Sequence, residues 1–300
     1  MEQKIRFVVG AIQEASWPEM ITRWQRVESL GFDGVMLADH FVNFAQPQAH
    51  WFEAWTLLSA LATHTKTIRI GLLSALPWRN PAFMARQAMT VDHISNGRLD
   101  LGLGAAAPGS VDISYAMTGI PDWPPKERVE RFREMVEIVD QLLRNPETSY
   151  EGRYYQLKGT IMNPLPVQKP RPPIMIGANG PQMLKIAAKY ADTWNTFGGV
   201  NIQSPAEMLA LARGRNLKLN DYCAEIGRDP TTLRRSILIY TEEEYTQMVS
   251  KPGAFEEIVK RYWEIGITEF VFFYPFAPMM MPAFEQIANE AIPRLRQELQ

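Results

Sequence analysis

The stretch TIRIGLLSALPWRNPAFMARQAMTVDHISNGRLDLGLG, residues 67–104, carries the pattern that decides the fold. Its first segment, Thr67–Ser74, is a short apolar run typical of a buried strand, and Arg98–Gly104 is a second one. Between them, Pro81–Ser95 has the features of a helix, with a proline in its first turn and Asn96-Gly97 just after its end. A strand, a helix and a strand in this order predict two parallel strands joined by a helical crossover.

The same alternation continues in both directions along the chain. We predict eight strands, at Ile5–Gly10, Asp33–Asp39, Thr67–Ser74, Arg98–Gly104, Ile174–Gly177, Asp192–Thr196, Leu233–Tyr240 and Glu269–Tyr274. We predict a helix after each strand, at Pro18–Leu30, Phe52–Thr65, Pro81–Ser95, Pro125–Arg144, Pro181–Tyr190, Pro205–Gly227, Gly253–Gly266 and Met281–Leu299. Eight such units in 300 residues favour a closed (β/α)8 TIM barrel, and a doubly wound open sheet is the alternative.

Two longer stretches interrupt the alternation. Ala105–Pro125 contains two glycines and four prolines and is predicted to be a long loop. Asn145–Pro173 is predicted to be an insertion after the fourth helix, with a short strand pair near Tyr150–Leu157. Neither stretch resembles a flexible linker, so we predict a single domain over residues 1–300.

The composition argues against several classes of function. The chain has 31 Lys and Arg and 33 Asp and Glu, so its net charge of −2 provides no general attraction for nucleic acid or an anionic membrane. The one cysteine, Cys223, allows no internal disulfide, and the four histidines lack metal-ligand spacing. No apolar stretch approaches the roughly 18–20 residues that span a bilayer, and the first residues do not resemble a signal peptide. We therefore expect a soluble, cytoplasmic enzyme that acts on a small molecule without a metal.

Enzymes with such barrels place their active sites at the C-terminal ends of the strands. The pair Asp39-His40 lies at the end of the second predicted strand. A histidine there exchanges a proton near neutral pH, and an adjacent carboxylate can orient it. The alternative explanation is a strand-end aspartate that caps the next turn, beside a packed histidine.

Two glycine-containing runs are further candidates. GANGP, Gly177–Pro181, joins the fifth strand to a helix, where small residues and free N–H groups suit a cofactor phosphate, although an ordinary tight turn has the same pattern. GLGAAA, Gly102–Ala107, matches the dinucleotide fingerprint, but Pro108 and Gly109 follow it instead of a helix. We interpret this second run as a rim of small residues that leaves room for a flat ligand.

Five aromatic residues fall in or near loops on the face where we expect the site. They indicate an apolar pocket for a planar cofactor or an aromatic substrate, although core packing explains some of them. These residues are Trp17, Phe41, Trp51, Trp78 and Trp123.

Together, these segments resemble the luciferase-like monooxygenase superfamily. The resemblance rests on the shared order and spacing of several stretches over most of the chain. They are LGFDGVMLADHF (Leu30–Phe41), EAWTLLSALATHTKTIRIG (Glu53–Gly71), NPAFMARQAMTVDHISNGRLDLGLGA (Asn80–Ala105), RPPIMIGANGPQMLKIAAKYADTWNTFG (Arg171–Gly198) and GITEFVFF (Gly266–Phe273).

The resemblance implies a (β/α)8 barrel with an insertion after helix four, and a homodimer formed through helices two and three. It also implies a flavin-type cofactor over the C-terminal mouth of the barrel. Members use either reduced flavin mononucleotide (FMN) with O2 or the deazaflavin coenzyme F420, and the Asp39-His40 pair is similar to that of the F420 branch. By this resemblance His40 is the catalytic residue near the reactive ring.

Further site residues follow from the same resemblance. Ser74-Ala75 matches a position where the family often has a bulge and a non-proline cis peptide behind the ring, and Gly177–Gly180 matches the segment that holds the cofactor phosphate. The expected cofactor-binding residues are Asp39, Ser74, Ala75, Gly104, Ala105, Gly177, Ala178, Asn179 and Gly180. The expected substrate-pocket residues are Trp17, Trp78 and Trp123.

The chain departs from the F420 branch after the fourth strand. Those enzymes commonly carry a Glu or another polar residue there, and no Glu is present here. Ser110 and Asp112 are the candidates to replace it, and the sequence fixes the register of neither. A sugar-phosphate dehydrogenase mechanism that needs this acid is therefore not expected.

These observations support three functions in decreasing order of preference. The first is an F420-dependent oxidoreductase that transfers hydride to an activated double bond, an imine or a nitroarene. The second is an FMN-dependent monooxygenase that uses O2 and a partner reductase. The third is a non-catalytic flavin-binding barrel, which the intact Asp39-His40 pair and the small-residue loops disfavour.

Overall fold

The computed structural model describes residues 4–43, 46–74, 79–106, 112–198, 202, 204–239, 242–251 and 253–299. These residues form the strands β1 (Arg6–Gly10), β2 (Gly34–Ala38), β3 (Arg69–Ser74), β4 (Leu99–Gly104), β5 (Glu147–Glu151), β6 (Gln156–Ile161), β7 (Ile174–Gly177), β8 (Thr193–Thr196), β9 (Arg234–Leu238) and β10 (Glu269–Phe273). Eight of them close into a barrel in the order β1-β10-β9-β8-β7-β4-β3-β2. The pairs β1–β10, β10–β9, β8–β9 and β3–β4 are parallel. The predicted barrel is confirmed, and the open-sheet alternative is wrong.

The helices lie where the apolar periodicity predicts them, with two additions. They are α1 (Trp17–Ser29), α2 (Ala54–His64), α3 (Pro81–Ile94), α4 (Ser114–Thr118), α5 (Pro125–Arg144), α6 (Pro181–Tyr190), α7 (Pro205–Glu225), α8 (Glu242–Ser250), α9 (Ala254–Trp263), α10 (Met281–Gln286) and α11 (Ile292–Glu298). A π-helical turn, Ile287–Ala291, joins the last two. The sequence prediction missed α4, which lies inside the predicted long loop, and α8.

The insertion after α5 is an antiparallel hairpin of β5 and β6. Its two strands begin earlier and end later than the predicted strand pair. Buried Glu134 on α5 accepts hydrogen bonds from the backbone N–H groups of Arg153, Tyr154 and Tyr155, at 3.0, 2.9 and 3.2 Å. One carboxylate therefore fixes the turn of the hairpin to the helix before it.

The chain forms two compact units. The first comprises residues 1–12, 25–35 and 177–300, and its core is aromatic. Phe7 stacks on Phe270 with ring centroids 5.8 Å apart, and Phe32 stacks on Phe284 at 5.0 Å. The second comprises residues 13–24 and 36–176 and contains α2, α3 and α5. The single-domain organisation stays a prediction.

Gly102, in the run that matches the dinucleotide fingerprint, is required by the barrel wall. A Cβ atom at Gly102 would lie 1.8 Å from the carbonyl oxygen of Leu72 on β3. Any side chain there would therefore force β3 and β4 apart. The close approach of two strands explains this glycine without a nucleotide.

Within the described residues, no helix is long and apolar enough to cross a membrane. In the same ranges, no group of three or more His, Cys, Asp or Glu side chains is placed to hold a metal ion.

Candidate active site

His40 lies two residues past the end of β2 and forms a short hydrogen bond with Asp112. The Nδ1 atom of His40 is 2.6 Å from Oδ2 of Asp112. The His40 side chain is 23% exposed and that of Asp112 is 8% exposed, so solvent reaches the imidazole more readily than the carboxylate. When Nδ1–H donates to Asp112 in the neutral ring, Nε2 carries the lone pair that accepts a proton.

Asp112 is itself fixed by the start of α4. Its Oδ1 atom accepts a hydrogen bond from the backbone N–H of Ser114 at 2.9 Å. Ser114 Oγ in turn accepts one from the backbone N–H of Phe41 at 3.2 Å. Burial raises the pKa of Asp112, but the hydrogen bonds from His40 and Ser114 lower it by a larger amount. The net pKa therefore lies below its usual value of 3.8. Asp112 is therefore a carboxylate at neutral pH.

Asp112 is one of the two residues that the sequence offers in place of the missing Glu. The other, Ser110, lies outside the described residues. Asp112 and His40 are 72 positions apart, so their contact depends on the packing of two loops and not on a local motif. The short helix α4, which the sequence prediction missed, supplies the contact that fixes Asp112.

Two further side chains hold the backbone on either side of His40. The side-chain amide of Gln13 donates to the carbonyl oxygens of Ala38 and Phe52, at 2.6 and 3.2 Å. Trp51 donates from Nε1 to the carbonyl oxygen of His40 at 2.8 Å. The buried Gln13 thus connects the end of β2 to the backbone just before α2, and Trp51 fixes the peptide that carries the imidazole.

Asp39 is buried against an arginine that the sequence analysis did not single out. Arg79 donates from Nε and Nη2 to the two carboxylate oxygens of Asp39, at 3.0 and 2.7 Å. Its Nη2 atom also donates to Glu53 at 2.9 Å. Asp39 is 1% exposed, so its carboxylate is shielded from solvent and is bound through both oxygens by Arg79. The expected role of Asp39 as a cofactor ligand stays a prediction, and its observed contact is with Arg79.

In the cluster of Asp39, Arg79 and Glu53, hydrogen bonds and ion pairs outweigh the effect of burial on the pKa values of Arg79 and Glu53. Burial lowers the pKa of Arg79, but its hydrogen bonds and ion pairs with Asp39 and Glu53 outweigh burial and raise that pKa. Glu53 also caps α2 by accepting the backbone N–H groups of Trp55 and Thr56. Burial raises the pKa of Glu53, whereas these N–H groups and Arg79 lower it to a net value below the usual one. The cluster therefore joins the end of β2 to the start of α2.

The Gly177–Gly180 turn belongs to the other compact unit and leads into α6. The backbone N–H of Ala178 donates to the carbonyl oxygen of Asn195 at 3.0 Å. Gly180 is the residue just before α6, and it has no side chain that could cap the start of the helix. A Cβ atom at Gly180 would meet nothing within 4 Å, so the space beside the helix start is open. These features fit a bound phosphoryl group.

Arg215 on α7, also missed by the sequence analysis, reaches the end of β8 in this unit. Its Nη1 atom donates to Thr196 Oγ1 at 3.0 Å and to the carbonyl oxygen of Phe197 at 2.7 Å. Thr196 Oγ1 in turn donates to Asn179 Oδ1 at 2.9 Å. Thr196 therefore connects the guanidinium to the Gly177–Gly180 turn.

Two further predicted site residues, Trp17 and Trp123, contact side chains other than those of His40 and Asp112 in the interactions described for them. Trp17 is 36% exposed and its ring meets that of His64 edge-on at 5.5 Å. Trp123 lies under the guanidinium of Arg131 at 4.5 Å. Backbone positions are described for the strand ends Ser74 and Gly104 and for buried Ala105, whereas Ala75 and Trp78 lie outside the described residues.

Residues 5–241 match the model of a protein family described as luciferase-like monooxygenase. The chain belongs to the luciferase-like monooxygenase family. The matched region contains His40, Asp112, Arg79 and the Gly177–Gly180 turn. The resemblance stated from the sequence is confirmed.

Curated relatives of the chain have different named activities. An F420-dependent glucose-6-phosphate dehydrogenase of Amycolatopsis mediterranei is 33% identical over 183 residues, which are 59% of this chain and 53% of that protein. A 5,10-methylenetetrahydromethanopterin reductase of Archaeoglobus fulgidus is 30% identical over 189 residues, 63% of this chain and 52% of the reductase. Pyrimidine monooxygenase RutA of a Bradyrhizobium species is 29% identical over 212 residues, 68% of this chain and 56% of the monooxygenase. The chain thus spans about half the length of these relatives.

Solved structures of other enzymes share the fold of this chain. An F420-dependent secondary alcohol dehydrogenase in complex with an F420-acetone adduct has a TM-score of 0.77 at 20% identity, covering 95% of this chain and 98% of its own. Long-chain alkane monooxygenase (LadA) also has a TM-score of 0.77, at 15% identity, covering 99% of this chain and 92% of its own. At these identities the likeness concerns the fold alone.

Proposed function

We propose that this member of the luciferase-like family is an F420-dependent oxidoreductase that transfers hydride between the deazaflavin and a small organic substrate. The observation that carries the proposal is the His40–Asp112 pair just past the C-terminal end of a barrel strand. The relative named as an F420-dependent glucose-6-phosphate dehydrogenase supports it.

Two groups of residues, one in each compact unit, have features that would suit parts of such a cofactor. The Gly177–Gly180 turn, with its open space at Gly180, would hold the phosphoryl group. Gly104 and Ala105 are small residues at the end of β4, and we expect the flat ring to lie beside them. When bound in its reduced form, the deazaflavin supplies a hydride to an electrophilic atom of the substrate.

His40 would move the proton that accompanies the hydride. Ionised Asp112 holds Nδ1–H, so Nε2 is the nitrogen that exchanges a proton with a substrate heteroatom. His40 donates that proton when the substrate is reduced and accepts it when the substrate is oxidised. Asp112 is a positioning residue, since it touches the imidazole and not the substrate. The buried Asp39–Arg79 pair keeps the end of β2 in place.

The substrate classes remain an activated double bond, an imine or a nitroarene. The missing Glu no longer argues against an alcohol or a sugar phosphate as the substrate, because the carboxylate of Asp112 forms a hydrogen bond with His40. A panel of acceptors and alcohols, assayed by the change in F420 absorbance, separates these classes.

The test of the proposal is His40→Asn. We expect turnover with F420 to fall by about 10²–10⁴-fold while the affinity for F420 is unchanged, because the variant removes proton transfer and not cofactor contacts. His93→Asn is the matched control, because exposed His93 on α3 contacts only the carbonyl oxygen of Leu165 among the interactions described for it. Unchanged turnover of His40→Asn at saturating substrate would contradict the proposal.

An FMN-dependent monooxygenase is the second candidate, and the RutA relatives favour it. Its signature would be O2 consumption that depends on reduced FMN supplied by a reductase. The assay therefore includes reduced FMN under air beside F420 under nitrogen. Product formation with FMN alone would replace the F420 proposal with this one.

A further inference from the structure

The aromatic side chains at the C-terminal end of β10 alternate between the two faces of the barrel wall. Phe272 packs outward, because its ring centroid lies 5.5 Å from that of Phe255 on α9 and 6.3 Å from that of Phe284 on α10. Tyr274, two residues later, meets the same Phe284 ring at 5.5 Å. Successive side chains of a strand point to opposite faces. Phe273, between these two residues, therefore points into the barrel.

Phe273 lies at the rim of the barrel, beside the end of β1. It is the last residue of β10 and is paired in register with Gly10, the last residue of β1. A Cβ atom at Gly10 would lie 3.1 Å from Cδ1 of Phe273, so the ring covers the glycine. The Phe273 side chain is half-buried. An apolar ring thus faces the C-terminal mouth of the barrel, where enzymes with this fold bind their substrates.

Two further rings continue from Phe273, one in the loop after β10 and one on α8. The ring centroid of Phe276 lies 5.6 Å from that of Phe273 and 5.3 Å from that of Tyr245. Tyr245 is buried, and its hydroxyl oxygen lies 3.5 Å from the carbonyl oxygens of Phe273 and Tyr274. Phe276 contacts both rings and is nevertheless 51% exposed. We refer to Phe273, Phe276 and Tyr245 as the aromatic wall.

The exposed part of Phe276 is suited to contact one more ring. Aromatic rings pair in offset or tilted arrangements with centroids 4.5–7 Å apart, which is the spacing within the aromatic wall. Packing explains Tyr245 and Phe273, but it does not explain why the most exposed of the three side chains is a phenylalanine. A partner protein would reach only Phe276, whereas a small molecule at the mouth would contact both Phe276 and the inward-pointing Phe273.

We propose that the aromatic wall is the part of the substrate site that binds an aryl ring, so that the protein acts on aryl-substituted electrophiles. Phe276 is the residue that determines this specificity, because it presents the most exposed ring. The inference rests on the proposed function for the hydride transfer and adds the class of substrate to it. The substrates it selects are a nitroarene, or an activated double bond or imine that carries a phenyl group.

The first test compares two substrates that share a reacting group and differ in the ring. The probes are β-nitrostyrene and 1-nitropropene, which carry a phenyl and a methyl group on the same nitroalkene. The wild type should prefer β-nitrostyrene in kcat/KM. Phe276→Ala should lower kcat/KM for β-nitrostyrene about tenfold more than for 1-nitropropene, with most of the difference in KM. Phe276→Leu is apolar without a ring and should lose part of the preference, whereas Phe276→Tyr should keep it.

The matched control is Leu217→Ala, which removes a side chain that is 62% exposed on α7 and should keep the wild-type preference. A wild type that prefers 1-nitropropene, or a Phe276→Ala variant with an unchanged preference, would overturn the inference. An aryl preference that depends on Phe276 but requires reduced FMN in place of F420 would uphold the aryl subsite and refute the F420 proposal.

A second measurement does not depend on turnover. Binding of 4-fluoronitrobenzene to the full chain, with and without oxidised F420, is followed by the fluorine NMR signal of the probe. Phe276→Ala should weaken binding about tenfold, and Leu217→Ala should bind as the wild type does. Where neither nitroalkene is reduced, the proposed function fails and this measurement decides the subsite. Equal affinity of the wild type and Phe276→Ala, or no binding to the wild type in either condition, would overturn the inference.

Discussion

The hydrogen bond between His40 and Asp112 determines which nitrogen of the imidazole carries a proton. Asp112→Asn keeps the shape of the side chain but can donate an N–H to Nδ1, which favours the opposite tautomer. We expect turnover to fall at least about tenfold and its pH profile to shift, with an unchanged affinity for the cofactor. Nitrogen NMR of His40 reports the tautomer directly. Asp221→Asn, an exposed change on α7, is the control, and a wild-type tautomer and pH profile in Asp112→Asn would contradict the assigned role.

Asp112 also makes stability depend on pH. Its pKa in the folded protein is below the usual value of 3.8, so the ionised form stabilises the fold. That contribution is complete above pH 3.8 and is lost as the pH falls through the lower folded pKa. Asp112→Asn should therefore lower the Tm at pH 7 and show a smaller further loss below pH 3.8 than the wild type. Parallel Tm curves for the two proteins would show that the carboxylate contributes nothing to stability.

Arg79 is expected to stabilise the protein by neutralising buried Asp39. Arg79→Met leaves the Asp39 carboxylate buried without its two donors, which should cost about 3 kcal/mol of unfolding free energy. The double variant Asp39→Asn with Arg79→Met should recover part of that loss. Urea unfolding measures both, with Arg213→Met as the reference for removing an exposed arginine. Asp39→Asn alone completes the double-mutant cycle, and a loss in the double variant equal to the sum of the two single losses would mean that the pair is not coupled.

The sequence identified His40 because a histidine at a strand end is visible in one dimension. Arg79 was not identified, since its contact with Asp39 joins positions 40 residues apart through the fold. Asp112 was named only as a candidate, because its register depends on α4. The spacing of residues along the sequence therefore does not reveal side chains whose partner lies on another loop.

The β5–β6 hairpin depends on one buried carboxylate, that of Glu134. Glu134→Gln has one acceptor oxygen in place of two and no charge, so the backbone N–H groups of the hairpin turn either lose their acceptor or keep a weaker one. Amide hydrogen exchange in residues 152–156 should become about tenfold faster or more. Glu127→Gln, which removes a carboxylate that pairs with Arg131 along the same helix, should leave that exchange unchanged. Slow exchange in Glu134→Gln would refute the role of Glu134.

Elements with strong periodicity and clear ends were predicted well. Helix α5 has the predicted bounds Pro125–Arg144, because a proline opens it and its apolar residues recur at helical spacing. Helix α4 was missed because five residues are too few for periodicity to show. The last predicted helix is interrupted by the π-helical turn at Ile287–Ala291, which apolar spacing does not reveal.

The barrel as a whole was predictable because each strand–helix unit is encoded locally. The oligomeric state of the protein was not predictable in this way, and the homodimer through α2 and α3 stays a prediction. Phe83 on α3 is 73% exposed, and Ile94 at the end of this helix is 43% exposed. Both side chains lie on α3, where the predicted interface would cover them.

Phe83→Asp tests that prediction. We expect the wild type to sediment as a dimer and Phe83→Asp as a monomer, because a charge in a dimer interface is costly. Met279→Asp changes a side chain that is 85% exposed outside α2 and α3, and should remain a dimer. A monomeric wild type, or a dimeric Phe83→Asp, would contradict the predicted interface.

A binding titration shows directly which cofactor the protein uses. The purified chain is titrated with F420 and, separately, with FMN, each oxidised and reduced, and the fluorescence of its eight tryptophans is followed. We expect micromolar or tighter binding of F420 and much weaker binding of FMN. Preference for reduced FMN, or binding of neither cofactor, would contradict it.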